Sequence, residues 1–552
     1  WNDTAQLDFL NPEVRAAVIE TILHVARNFS VIRFDAAMVL AKRHIQRLWF
    51  PEPGHGGDIP SRAEHGMSSD EFDRRIPNEF WREVVDRVAA EAPDTLLLAE
   101  AFWMMEGYFV RTLGMHRVYN SAFMNMLKAE ENAKYRQTIK NTIEFDKEVL
   151  KRFVNFMNNP DEETAVEQFG KGDKYIGFCT LMVTMPGFSM FGHGQVEGFI
   201  EKYGMEYRRA YLDEQADREL VARHEAEIFP LMRRRHLFAG VLNFLLYDLY
   251  TESGMVNENV FAYSNSAAGA AALVLYNNAY ERAWGWIRTS ASYVEKLPGG
   301  GKEHRRGDLG GALGLHREHD YYVVFRNERS GLWFIRPSHE VYGRGLFVEL
   351  AGYESQVFLD FYEVADNQHG NYAQLADELA GRGVPDVEDA VREFALKPLL
   401  DTYAGVVNSR TFHQLHEAMI GHEVLTDEAM DRLKRGYRIF LDVGSRYQPI
   451  TGPAAGQTSR DTPPDAAASP SRDLAIDAAV VSLENGIRSL ERLPFLQLET
   501  YEPAPAEYRH AVTLYTRALD ERPDRRDLLA TWVLLRPLEA VYASPVDRKS
   551  VV

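Results

Sequence analysis

Short apolar runs recur through the first 240 residues, each closing on a polar or glycine-rich loop, with stretches of helical period between them. The runs are VIRFDAAMV (Val31–Val39), TLLLAEAFW (Thr95–Trp103), a strand within Val110–Leu127, RFVNFMNNPDE (Arg152–Glu162) and GFSMFGHGQ (Gly187–Gln195). Amphipathic segments lie between them, from Asn11–Asn28 to HEAEIFPLMRRRHLF. Strand and helix alternating in this way predict an α/β fold with a parallel sheet over residues 1–240. The texture then changes. Residues 241–366 carry NVFAYSN, AAALVLYNNAY and AWGWIR, short runs broken by Asn and Gly, and predict an all-β domain. Helical period returns over 367–447, a Pro/Ala/Ser-rich stretch at 448–472 reads as a linker, and 473–552 reads as a final helical segment.

Three of the strand-like runs end in acids. Arg33 and Asp35 stand two apart, and alternate strand residues share a face, so the guanidinium can hold the carboxylate ionised and oriented as a nucleophile requires. Alone, this pair reads as a surface ion pair. Glu100 closes the second run beside Leu98, Phe102 and Trp103, a setting in which desolvation raises a carboxyl pKa. Asp161 follows the fourth run in an Asn-Asn-Pro-Asp turn. Acids placed just past the C-terminal ends of separate strands are how β/α barrels assemble active sites.

In RFDAAMV, LLLAEAFW, FMNNPDE and PGFSMFGHGQ, over roughly residues 1–240, the chain resembles the α-amylase superfamily, glycoside hydrolase family 13. The resemblance implies a partial (β/α)8 TIM barrel, about strands four to eight, followed by the all-β domain and helical C-terminal regions. It implies Asp35 as catalytic nucleophile, Glu100 as general acid/base and Asp161 as the third, transition-state-stabilising carboxylate, with Arg33, Trp103 and Asn159 at the substrate. The implied activity is retaining hydrolysis of α-1,4-linked glucans through a covalent glycosyl-enzyme intermediate. Two alternatives stay open: glucan or maltosyl transfer on the same scaffold, and an inactive glucan-binding fragment.

The chain also departs from that pattern. Asn159-Pro160 precedes Asp161 where the family carries Asn-His, and some maltosyl-transferring relatives share that loss. Met38 and Val39 stand where many amylases have Lys-His, with Lys42 and His44 expected on the following helix. Trp1 is not an initiator Met, and the first strand found is the family's fourth, so the chain reads as a fragment of a longer protein and is expected to be inactive alone. The Gly/Pro/charged stretch from Phe50 to Asn78 reads as a lid or subsite wall, or as a loop excursion.

Composition narrows the partners. A net charge of −19 argues against nucleic acid and anionic membrane surfaces and leaves a neutral α-glucan unaffected. No apolar run is long enough to span a bilayer. Cys179 alone makes no internal disulfide framework and favours a cytoplasmic compartment, with secretion left open because a leader would precede Trp1. No spacing demands a metal: His55 and His65 lack fixed partners, and His413, His416 and His422 read as structural or solvated. No cofactor is identifiable. Calcium is left open for the longer parent, since the family's ligand Asn belongs to a first motif upstream of Trp1.

Overall fold

A computed structural model of the chain describes residues 6–55, 60–102, 105–202, 209–297, 299–421, 423–445, 447, 470–492 and 524–538. Trp103, His422 and most of the 448–472 stretch lie outside them. Five of the apolar runs become β1 (Val31–Phe34), β2 (Leu96–Ala99), β3 (Arg117–Tyr119), β4 (Phe153–Phe156) and β5 (Phe188–Met190). They pair in parallel in the order β1-β2-β3-β4-β5, with Arg33 opposite Leu98 and Val154 opposite Phe188. Each connection carries helix, as a parallel crossover requires. Neighbours in sequence are neighbours in the sheet throughout. That is the order of a partial β/α barrel, whereas a doubly wound sheet reverses at a switch point. All five strands run the same way, so their C-terminal ends and the loops after them share one edge.

The helix Pro12–Ala26 starts where Asn11 Oδ1 accepts the Glu13 N–H at 2.9 Å, with proline in the first turn, and buries Ile19, Leu23 and Ala26. It packs against the helix Phe80–Glu91, whose Phe80, Trp81, Val84 and Val88 close over Phe34 of β1. The helix Lys42–Trp49 carries Lys42 and His44, as expected. Within Phe50–Asn78 the chain is not all loop: Ser69–Arg75 is helical, capped by Ser68 and anchored by buried Phe72.

A second core forms around the helix Asp173–Thr184, buried from Tyr175 to its end. Gly177 is required there. A Cβ at that position would lie 2.0 Å from the ring of Tyr276. Tyr276 belongs to the antiparallel part, which holds β6 (Leu245–Tyr247), β7 (Val260–Ala267), β8 (Ala270–Asn277), β9 (Ala283–Ile287), β10 (Tyr293–Lys296), β11 (Lys302–Arg305), β12 (Tyr321–Asn327), β13 (Trp333–Pro337), β14 (Leu346–Leu350) and β15 (Ser355–Ala365). Six of these form one sheet in the order β13-β12-β15-β8-β7-β6, with β14-β9 and β10-β11 as separate two-stranded ribbons. The β7–β8 hairpin turns on Ala268 and Gly269, both at positive φ, the geometry that matches strand twist. The short helices Leu309–Ala312 and Ser338–Gly343 interrupt this stretch, so residues 241–366 are not wholly strand.

Fully buried Arg136 ties the helix Asn132–Asp146, which lies between β3 and β4 in the chain, to the antiparallel part. It pairs with Asp248 and with Glu258 at 2.8 Å, and its Nη1 donates to the Val260 carbonyl. These elements belong to one compact unit, residues 1–387. The second unit, residues 388–552, is helical where described. In it Ser409–Ile420, Asp427–Gly444, Pro470–Arg492 and Asp524–Leu535 enclose Leu415, Met430, Leu441, Leu483, Ile487 and Val533. The helix Pro470–Arg492 begins inside the stretch expected to be linker.

Candidate active site

The site assembles at the C-terminal edge of the parallel sheet. β1 ends on buried Phe34, and Asp35 is the first residue beyond it, its side chain half exposed. Ala36 follows at φ 43° and ψ 38°, a left-handed conformation that disfavours a non-glycine residue by about 1–2 kcal/mol. That turn aims the Ala36 N–H at Glu100 Oε2, 3.0 Å away. Glu100 stands just past β2, where its own N–H donates to the Phe34 carbonyl at 3.0 Å and extends the β1–β2 ladder.

Glu100 is 2% exposed. Its Oε2 accepts from Ala36 and from Arg33 Nη2 at 2.9 Å, whereas Oε1 is buried without a hydrogen-bond partner. Burial pushes the Glu100 carboxyl up to about 7; the neighbouring Asp35 adds to the rise, while the Ala36 N–H and the Arg33 charge oppose it. Arg33 meanwhile holds Asp35 Oδ1 through Nη1 at 2.9 Å. Its Nε donates to the Tyr119 hydroxyl at 2.5 Å, and the guanidinium lies 5.3 Å from that ring's centre. Tyr119 closes β3, fully buried, with Phe102 edge-on against it. Three guanidinium nitrogens therefore fix one side chain to the ends of three adjacent strands.

Asp161 comes from the loop after β4 and is exposed. Buried Asn159 shapes that loop, its Oδ1 accepting the N–H groups of Asp161 and Glu162 at 2.9 and 3.0 Å. Lys202 Nζ donates to the Asp161 carbonyl at 2.6 Å. On the β5 side, buried Gln195 accepts the Gly192 N–H at 3.1 Å, and a Cβ on Gly192 would collide with Asn158.

Asp35, Glu100 and Asp161 meet: one carboxylate oxygen from each lies within 4.8 Å of the others. Arg33 lies with them, Asn159 stands behind Asp161, and Trp103 falls outside the described residues. Three converging carboxylates are also a donor set for a small cation, but Arg33 already supplies positive charge to two of them. Sequence reasoning missed two parts of the arrangement. Tyr119 is packed in the core, and its hydroxyl also anchors Arg33, a role that nothing in the sequence marks; Ala36 carried no signal at all.

No protein-family model matches the chain, and no curated protein matches it. Among the solved structures to which it is similar are α-amylases and a debranching enzyme. An α-amylase from Geobacillus thermoleovorans, complexed with acarbose, is 13% identical over 64% of this chain and 64% of that one, with a TM-score of 0.41. The native debranching enzyme of Nostoc punctiforme is 14% identical over 64% and 63%, with a TM-score of 0.42. An α-amylase from H. orenii is 14% identical over 65% and 67%, with a TM-score of 0.40. The chain spans less than two thirds of the length of the first two.

Proposed function

We propose that this chain carries the catalytic carboxylates of a retaining, α-glucan-active glycoside hydrolase of the α-amylase type, with β1 to β5 as strands four to eight of its barrel. The carrying observation is the approach of Asp35 and Glu100, with oxygens within 4.8 Å. Retaining enzymes hold their two carboxyl groups about 5 Å apart, whereas inverting enzymes leave about 6.5–9.5 Å for a water molecule.

In the first step an Asp35 oxygen attacks the anomeric carbon while the bond to the leaving glycosidic oxygen breaks and that oxygen takes the Glu100 proton. A carboxyl pushed up to about 7 holds its proton near neutral pH. In the second step ionised Glu100 removes a proton from water, whose oxygen displaces Asp35 from the same carbon. Arg33 keeps the two carboxyls at a fixed separation through both steps. Asp161 adds negative charge beside the sugar, where positive charge develops at the transition state.

Pro160 standing where the family carries His favours a second reading, transfer to a sugar hydroxyl in place of water. Maltoheptaose separates the two. The protein expressed from the full reading frame that encodes this chain should yield only shorter, reducing products if it hydrolyses, and longer chains as well if it transfers. Unchanged maltoheptaose would reject both. A 2-deoxy-2-fluoro glycosyl fluoride should leave its sugar on the peptide containing Asp35, and an adduct elsewhere would overturn the nucleophile assignment.

A further inference from the structure

The antiparallel part contains a cavity of about 600 Å³ whose charge runs against that of the whole chain. Arg288, Arg306, Arg317, His319 and His339 line it, and Asp308 is its one acid. In a protein of net charge −19, arginines normally find carboxylates, and nearby Arg305 pairs with Glu295 and Glu303 at 2.6 and 2.8 Å. Among the described residues, no carboxylate oxygen forms an ion pair with Arg288, Arg306 or Arg317. Asp308 caps the short helix Leu309–Ala312, its Oδ1 accepting the Gly311 N–H, and its single charge is outnumbered by those of the three arginines.

The walls are pre-arranged. Ser290 N–H donates to the Gly307 carbonyl and Leu309 N–H to the Arg288 carbonyl, both at 2.8 Å, and Gly307 N–H donates to Ser290 Oγ at 2.9 Å. These bonds lock the backbone that bears Arg288 beside the backbone that bears Arg306. Arg317 lies with its guanidinium 4.6 Å from the Tyr342 ring centre, and Tyr342 packs so closely on Gly310 that a Cβ there would lie 2.6 Å from the ring. His339 packs 4.0 Å from His319, ring centre to ring centre, and its Nδ1 is buried with no hydrogen-bond partner.

We infer that this cavity binds a small phosphate-bearing anion. Guanidinium groups bind phosphoryl oxygens through paired N–H donors, an imidazole N–H supplies a further donor, and a cavity of this size accommodates a sugar phosphate. The inference does not depend on the carboxylate chemistry at the parallel sheet.

Calorimetric titration of the full chain with sodium pyrophosphate, glucose 6-phosphate and glucose tests it. At about 50 mM salt at least one phosphate probe should bind while glucose does not, and raising the salt to about 500 mM should weaken binding several-fold. Tighter binding of glucose 6-phosphate would identify a sugar ester as the occupant, and binding of pyrophosphate alone would identify a free inorganic anion. Arg306→Ala and Arg317→Ala should each lower affinity by at least about five-fold. Arg288→Ala, an exposed substitution that leaves the fold intact, provides the same reading should Arg317→Ala melt early. Failure of both phosphate probes to bind, or binding by the Arg306→Ala and Arg288→Ala chains as tight as by the unaltered chain, overturns the inference.

Discussion

A single guanidinium organises the candidate site, and the effects of substitutions follow from which of its contacts each removes. Arg33→Lys keeps a charge but cannot reach Asp35, Glu100 and Tyr119 together. Glycosidic activity on maltoheptaose should fall by roughly 10- to 100-fold, judged by the loss from one misplaced catalytic group. Tyr119→Phe removes the acceptor for Arg33 Nε and the O–H that donates to Met190 Sδ at 3.7 Å, a loss of about 1 kcal/mol in stability that a urea titration would register. On the proposed assignment, Glu100 carries the pH dependence. With its carboxyl pushed up to about 7, the protonated acid is lost as the pH rises through 7, so activity should decline on that alkaline limb, and Glu100→Gln should lower activity by about 10²- to 10⁴-fold. Stability has the same sign. Between the ordinary carboxyl range and about 7 the folded protein holds a proton that the unfolded chain has released, so stability falls as the pH rises across that window. Unfolding midpoints from pH 5 to 7 should slope less in the Glu100→Gln chain, and an unchanged slope would show that another group is responsible.

At the level of elements, the strands and the acids after them were legible because both leave marks in sequence. A largely buried parallel strand such as β2 reads as a continuous apolar run, β1 keeps an apolar run around Arg33, and a carboxylate directly after such a run stands out, as Asp35 and Glu100 do. What stayed hidden depends on partners distant in the chain. Nothing near Arg136 shows that it is fully buried, because Asp248 and Glu258, which neutralise it, lie more than 100 residues later. Leu309–Ala312 contains two glycines and becomes helical under the Asp308 cap, against its own weak preference. Ala36 adopts a left-handed turn because the Glu100 carboxylate receives its N–H. Gly177 has a mid-helix position that sequence reads as a defect, yet Gly177→Ala should destabilise the fold by about 1–3 kcal/mol through collision with Tyr276. Thermal unfolding measures this, and a rise in midpoint would show that the ring can move aside.

For the whole molecule, no helix among the described residues is long and apolar enough to cross a membrane, and the negative net charge is indifferent to a neutral glucan. Residues 1–387 form one compact unit in which the parallel and antiparallel sheets share buried side chains. A chain ended at residue 240 would keep all three acids but lose Tyr276, Asp248 and Val260 from around Gly177 and Arg136. It should aggregate or unfold on purification, and a monodisperse, cooperatively melting product would refute that. The meeting of Gly177 with Tyr276 also bears on descent. The half-barrel and the sheet behind it cannot be exchanged among relatives as independent cassettes, since an incoming helix with any larger residue at position 177 would need a smaller ring at position 276. Recombination at that seam is therefore expected to survive only where both positions travel together.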